Sequence, residues 1–420
     1  MLTEPPRDGT AVAEMTEAGH AATDRAGCDA ADTRWLVTRA AALYVTLAIA
    51  LTGVAAFAIH HSSTAPLIPF DGNEVVGGWC RFDCGWYVNI ADHGYFDADP
   101  PQQSSVAYFP GYPLVARPVA ALLDNTPLAL VVVTWLAGFA ALLLFARWCA
   151  SRMRRRTAML AVACFALYPY AWYLYGAGYG DALFLAFAIG AFLLLEDDHP
   201  VVAGLAGAAA AATRPIGIAV AAGLVLRAIE RRGGLPRRGG RGWLARLGVP
   251  ARVDLRRIRP RDAGVLLAPL GLAAWSGYLW ARFDDPFAYS TVQAAWGQAE
   301  GPRTWFKIAF TEEMLNGTRT GYRNLIQAAL VLLALVAVPF VARRISAAYG
   351  GYVLVAVALP ALSTRDFFGM GRYLLGAFPL FALAGLLLAE RPRLRVPILA
   401  ASAALLVLGT YGFARNWYLS

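Results

Sequence analysis

With 420 residues, 58% of them hydrophobic and only 15% charged, the chain carries more apolar surface than one water-soluble core can hide. Its mean hydropathy of +0.49 points to lipid as the solvent. A net charge of +9 would suggest nucleic acid in a soluble protein, but here the arginines flank apolar runs and set orientation in a bilayer, so no nucleic-acid partner is expected.

Residues 1–34 are polar and acidic with no apolar period, which predicts a disordered cytoplasmic tail ahead of a single multi-spanning unit, 35–420. The run from Trp35 to Ile59 is too long for a signal-peptide core and reads as a retained first transmembrane helix. A polar, aromatic loop, 60–127, follows. Further apolar spans run over 128–148, 157–172, 179–195, 199–213, 215–229, 263–281, 322–342, 347–362, 371–389 and 396–414. The expected architecture is all-α and polytopic, with about eleven transmembrane helices and a large external first loop. Several spans fall short of the ~20 residues that a straight crossing needs.

The segment Tyr108 to Leu123 is apolar but short, and it contains Pro110, Pro113, Arg117 and Pro118. If it is re-entrant or surface-lying, the clusters Arg152–Arg156, Arg227–Arg261, Arg343–Arg344 and Arg391–Arg395 all fall on one side, the cytoplasmic one. The basic loop 227–262, broken by Gly-Gly and Pro, then serves topology and contact with anionic lipid. This topology puts the N-terminus in the cytoplasm. It places the loops 60–127 and 282–321, with the turns near Asp181, Arg214 and Arg372, on the external face. Ionisable groups gathered there define a candidate site.

The first external loop contains Arg81-Phe82-Asp83-Cys84-Gly85-Trp86-Tyr87. A carboxylate among aromatic faces suits a sugar, whose C–H faces pack on rings and whose hydroxyls bond to carboxylates; it can also act as a general base. The alternative reading makes Asp83 a helix cap or a partner of Arg81. Tyr112 lies in the aromatic, proline-rich start of the short helix. Asp181 opens a helix, where a carboxylate ordinarily complements the dipole. Arg214 and Arg372 are cations at predicted external helix starts, which the dipole disfavours, so a phosphate or a lipid headgroup is their expected company. Asp285-Pro286, Gln293 and Trp296 mark the second external loop.

Asp97-Ala98-Asp99 resembles a metal-holding pair, but loop acidity accounts for it; no metal or other cofactor is expected, with a divalent ion left open. Cys80 and Cys84 read as two free thiols, with a local disulfide as the alternative. Nucleotide-binding glycine loops and a Gly-x-Ser-x-Gly elbow are missing from the sequence.

Taken in order, these stretches resemble the GPI mannosyltransferase 2 family and its bacterial relatives, within the GT-C superfamily of membrane glycosyltransferases. The resemblance rests on Arg81-Phe82-Asp83 with Tyr87 and Gly94-Tyr95, Tyr108 to Pro113, Tyr179 to Phe184, Thr213-Arg214-Pro215, Asp285-Pro286 with Gln293 and Trp296, and Arg372-Tyr373. Two departures stand out: Phe82-Asp83 replaces the family's Trp-Asp, and Tyr179-Gly180-Asp181 replaces Tyr-Ser-Glu. The resemblance implies a mannosyl donor on polyprenyl phosphate, used externally. Asp83 and Asp181 would be the catalytic carboxylates. Arg81, Trp86, Tyr87, Tyr112, Arg214, Gln293 and Arg372 would hold sugar and phosphate. The acceptor stays open among lipid, glycan and protein. The rival class is a transporter or lipid flippase, which would show mid-span charges and an internal repeat.

Overall fold

The computed structural model describes residues 28–61, 73–98, 102–234, 256, 258–317 and 319–417. The acidic tail to residue 27, residues 62–72, Asp99 and most of the basic loop (235–255 and 257) lie outside the described residues. Within the described residues every regular element is helical. In order they are α1 Ala30–His60, α2 Glu74–Trp79, α3 Cys84–His93, α4 Gly111–Leu123, α5 Thr126–Ala150, α6 Arg155–Ala166, α7 Asp181–Glu196, α8 Pro200–Thr213 and α9 Gly217–Arg231. There follow α10 Leu270–Phe283, α11 Ala288–Thr291, α12 Pro302–Trp305, α13 Ile308–Leu315, α14 Arg319–Arg344, α15 Ala347–Ser363, α16 Met370–Tyr373, α17 Pro379–Glu390 and α18 Pro392–Ala414. Short 3₁₀ turns join several of them.

The first helix begins at Ala30, inside the segment expected to be tail, because the Asp29 side chain accepts the Asp32 N–H and caps it. Each apolar stretch expected to cross is helical for most of its length. By length and composition, four helices can span a bilayer (α1, α5, α18 and residues 323–344 of α14), or up to six if each of two bent pairs counts as one span. These helices make the chain a multi-pass membrane protein. The remaining apolar helices, such as α8 and α15, are shorter than ~20 residues. The segment 111–123 is one of these: α4 is amphipathic, with Leu114 and Leu122 exposed and Tyr112 and Ala116 buried. Arg117 on it donates to the Ile90 and Ala91 carbonyls and so closes the C-terminal end of α3.

Burial sorts the long helices. Only 22% of the spanning window is buried in α1 and in α14, against 56% in α5. The outer helices therefore present Leu, Ile and Val to lipid, while α5 lies among α1, α4 and α7. The close approach of α5 to α1 and the 171–174 turn depends on Gly138. Tyr44 on α1 donates to the carbonyls of both Trp135 and Leu174, at 2.8 and 2.7 Å. A Cβ on Gly138 would meet the Leu174 oxygen at 2.0 Å and the Tyr44 hydroxyl at 2.8 Å.

A second polar layer lies at the other end of α7. Glu196 accepts from Arg152 and from two nitrogens of Arg227, and also from the Tyr349 hydroxyl. Tyr349 in turn accepts from Trp148 and Arg152. This network ties the ends of α5, α7, α9 and α15 together. Because α7 has 16 residues, it stands roughly 22–24 Å from the charges at its start.

Overpacking a site this tight costs about 1–3 kcal/mol. Gly138→Ala should accordingly lower the apparent melting temperature of the detergent-solubilised protein, and an unchanged melting curve would refute the packing account.

Candidate active site

Four charged side chains from distant parts of the sequence meet at the start of α7. Asp181 is its first residue. Arg214 ends α8 in an extended conformation (φ −159°, ψ 148°), as the following Pro215 requires. Arg372 sits on α16, a single turn entered through Gly369 at φ +82°. Asp83 occupies the N-cap position of α3, yet its side chain makes no capping bond.

The charges form a chain. Arg214 pairs with Asp181 through Nη1 and Oδ1. Arg372 lies 3.9 Å from the same Asp181 oxygen through Nε and 3.5 Å from Asp83 Oδ2 through Nη1. The two carboxylates differ in access: the Asp181 side chain is 5% exposed and that of Asp83 26%. Both bonds to the Asp83 oxygens are long, since the Tyr108 hydroxyl approaches Oδ1 at 3.5 Å. Asp83 thus retains room for another donor, whereas Asp181 is locked against Arg214. Asp83 pairs with Arg372 rather than with Arg81.

Aromatic rings wall this chain. The Arg372 guanidinium lies 5.1–5.3 Å from the ring centres of Tyr173, Tyr179 and Tyr373, and Arg214 lies 5.0 Å from that of Tyr373. The Tyr179 hydroxyl accepts the Asp83 backbone N–H at 3.1 Å. Tyr87 stands edge-on to Tyr108, Tyr112 and Tyr179, and burial pushes its phenol up to about 12, so it remains a hydroxyl donor at neutral pH. Trp86 stacks on Tyr108 at 5.6 Å and meets Trp296 edge-on at 5.9 Å.

Other expected site residues lie apart from the charges. The Tyr112 hydroxyl is spent on the Leu130 carbonyl and Thr134. Gln293 bonds back to the Tyr289 carbonyl; its neighbour Trp296, not Gln293, reaches the rings near Asp83. Arg81 is 2% exposed, and its Nε and Nη1 have no partner among the described residues. Burial pulls its guanidinium down to about 10, still a cation at neutral pH. Tyr108, Tyr173, Tyr179 and Tyr373 were absent from the expected site. Three of them stand in the motifs that carry the family resemblance, which was the available signal; Tyr173 looked like an interfacial belt.

One expectation is reversed. Cys80 and Cys84 form a disulfide rather than two free thiols. Cys80 ends α2 and Cys84 opens α3, and the Arg81–Asp83 turn, with Phe82 at φ +51°, brings their Cα atoms to 5.1 Å. The Gly176–Gly180 loop packs directly on it: a Cβ at Gly178 would lie 2.4 Å from Cys84 Sγ. Those glycines serve close packing. Among the described residues, no group of three His, Cys, Asp or Glu side chains is placed to hold a metal ion.

The turn that leads into Arg372 is held by the second loop. The Arg365 N–H donates to Gln298 at 2.7 Å and its guanidinium pairs with Glu313 at 3.0 Å. Lys307 donates to the Thr364 carbonyl and lies 5.1 Å from the Phe367 ring, which Phe310 meets edge-on at 5.2 Å.

No family model matches the chain. The resemblance seen in the motifs has a measurable counterpart among known proteins. The chain is 32% identical over 163 residues to GPI alpha-1,6-mannosyltransferase 2 of Rattus norvegicus, an overlap of 36% of this chain and 32% of that protein. It is also 32% identical over 165 residues to the Cricetulus griseus protein of the same name, covering 37% of this chain and 32% of that one. The chain thus spans about a third of the length of the curated relatives it matches. Among solved structures it resembles the oligosaccharyltransferase of Archaeoglobus fulgidus in complex with Zn and sulfate, at a TM-score of 0.43 and 14% identity, covering 91% of this chain and 53% of that one.

Removing one partner of a buried ion pair typically costs about 3–5 kcal/mol. Asp181→Ala should therefore lower the apparent melting temperature sharply, while the double change Asp181→Leu with Arg214→Met should recover part of the loss; equal melting of the two variants would sink this reading. Burial also pulls the Lys307 ammonium down to about 8, with Asp366 opposing. As pH rises, the reactive neutral amine should appear near pH 8, more than two units below an ordinary lysine. Acylation mapped to Lys307, the sole lysine, should be half-maximal there; a midpoint above 10 would contradict it.

Proposed function

We propose that the chain is a membrane glycosyltransferase that moves a mannosyl group from a polyprenyl-phosphate donor to a hydroxyl acceptor on the external face. The observation that carries the reading is the linked set Asp83–Arg372–Asp181–Arg214: a partly exposed carboxylate against one guanidinium, which shares Asp181 with a second, lined by tyrosines. The choice of mannose follows the name of the relatives matched over a third of their length. The disulfide next to Asp83 favours an oxidising compartment, which agrees with an external site and a cytoplasmic N-terminus.

In this mechanism Asp83 takes the proton from the acceptor hydroxyl as its oxygen bonds to the anomeric carbon. The bond from that carbon to the phosphate oxygen breaks, and the electron pair leaves with the polyprenyl phosphate. Arg372 and Arg214 receive the growing negative charge on the departing phosphate. Asp181 is the positioning carboxylate that fixes both guanidiniums, and attack opposite the leaving group inverts the anomeric centre. Trp86, Tyr87 and Tyr108 offer the sugar its ring faces. No metal is assigned a step.

General-base assistance is commonly worth about 10²–10⁴ in rate. Asp83→Asn should lower transfer of radiolabelled mannose from polyprenyl-phosphate mannose in isolated membranes by that order, with protein level and melting temperature unchanged. Transfer within tenfold of the parent would remove Asp83 from the mechanism.

A further inference from the structure

A second cavity lies away from the four charges, in the loop between α10 and α14. It has a volume of about 540 Å³, and its wall includes Gly297, Glu300, Arg303, Ala309, Glu312, Glu313, Asn316 and Arg365. Sites for small molecules commonly fall between about 300 and 1,000 Å³. Two features join it to the proposed reaction centre. Gly297 directly follows Trp296, whose ring lies 6.1 Å from that of Tyr108, and the Tyr108 hydroxyl reaches Asp83. Arg365 stands on the turn that runs into Arg372, clamped to this loop through Gln298 and Glu313.

The lining discriminates between ligand classes. Both guanidiniums are already engaged, Arg303 with Glu312 at 2.5 Å and Arg365 with Glu313 at 3.0 Å. With Glu300 added, the wall carries one more acid than base, so it offers a phosphate or other anion no net attraction. The apolar side chains in the wall are Ala299, Pro302 and Ala309, with no long aliphatic chain or ring to anchor an acyl chain or a hydrophobic peptide. The exposed Arg303–Glu312 pair keeps lone pairs and N–H groups at its edges, which suit adjacent hydroxyls that both donate and accept.

We infer that this cavity is the acceptor subsite and that it takes a neutral glycan, seated so that one hydroxyl reaches past Trp296 to Asp83. The inference rests on the glycosyl-transfer reading and names its acceptor class. Ala309 provides the test, because a large side chain there fills the cavity without touching the four charges.

The experiment uses the full chain in proteoliposomes with polyprenyl-phosphate mannose. The acceptor probes are octyl glycosides of mannose, glucose and galactose, set against an octyl-amidated Ser/Thr peptide; total membrane extract serves as an unselected acceptor. The parent protein should transfer to at least one glycoside and not to the peptide. Ala309→Trp should raise the KM for that glycoside by roughly tenfold or more, with the donor KM unchanged, and Asn316→Ala should raise it by a smaller factor. Transfer to the peptide alone, transfer to extract but to no glycoside, or an unchanged glycoside KM in both variants would overturn the inference and leave the transferase reading standing. Failure to consume the donor with any acceptor, extract included, would overturn both.

Discussion

Arg214 and Arg372 are held in a protein interior that solvates cations poorly, and their placement depends on Asp181. An isolated guanidinium there would be expensive, and two side by side more so. Asp181 makes the pair tolerable by contacting both, and the surrounding tyrosine rings contribute their negative faces. The surrounding backbone follows from that constraint. The α8 helix must stop at Arg214, α7 must start at Asp181, and a single turn of helix must lift Arg372 between them. Asp83 joins through Arg372 alone and is correspondingly looser, as its greater exposure and longer contacts record.

The electrostatic layout has a second half. Glu196, at the far end of α7, gathers Arg152 and Arg227 as Asp181 gathers Arg214 and Arg372. Each end of this one apolar helix is thus fixed by an acid that serves more than one base, with Arg231 a third at Glu196. The layer around Glu196 is closed, with Tyr349 and Trp148 completing its bonds. The layer around Asp181 is incomplete: Asp181 Oδ2 and Arg372 Nε are buried without hydrogen bonds among the described residues. Similar charges therefore make a structural clamp at one end and an open site at the other.

Much of this was legible in the sequence, and the reasons are physical. Long apolar runs bounded by arginines specify helices whatever their neighbours do, so the helical stretches fall where hydropathy puts them. Asp181, Arg214 and Arg372 stood out because each is a charge at the edge of an apolar run, where a bilayer protein keeps few. Asp83 was singled out with Trp86 and Tyr87 for another reason, as a carboxylate beside aromatic rings. Gln293 was singled out by motif rather than by physics, and its side chain turns back on the preceding helix, α11. Tyr173 was hidden because a ring near a membrane surface is ordinarily a belt residue. The disulfide was missed because a spacing of four residues says nothing of the turn between them. The turn that brings the two cysteines into reach carries the left-handed Phe82. The number of crossings is the least legible feature, since bent pairs and short helices blur what one crossing means.

The modest length of α7 has one more consequence. The outer helices α1 and α14 are tall enough for a whole bilayer, while α7 covers roughly 22–24 Å, less than the ~30 Å of a hydrocarbon slab. A helix this short, with its Glu196 end at one face of that slab, would hold the guanidiniums at its start below the opposite face. Depth then becomes a filter of its own. A water-borne sugar phosphate must abandon its hydration to descend, whereas one tethered to a long hydrocarbon tail is already part of the medium on the way down.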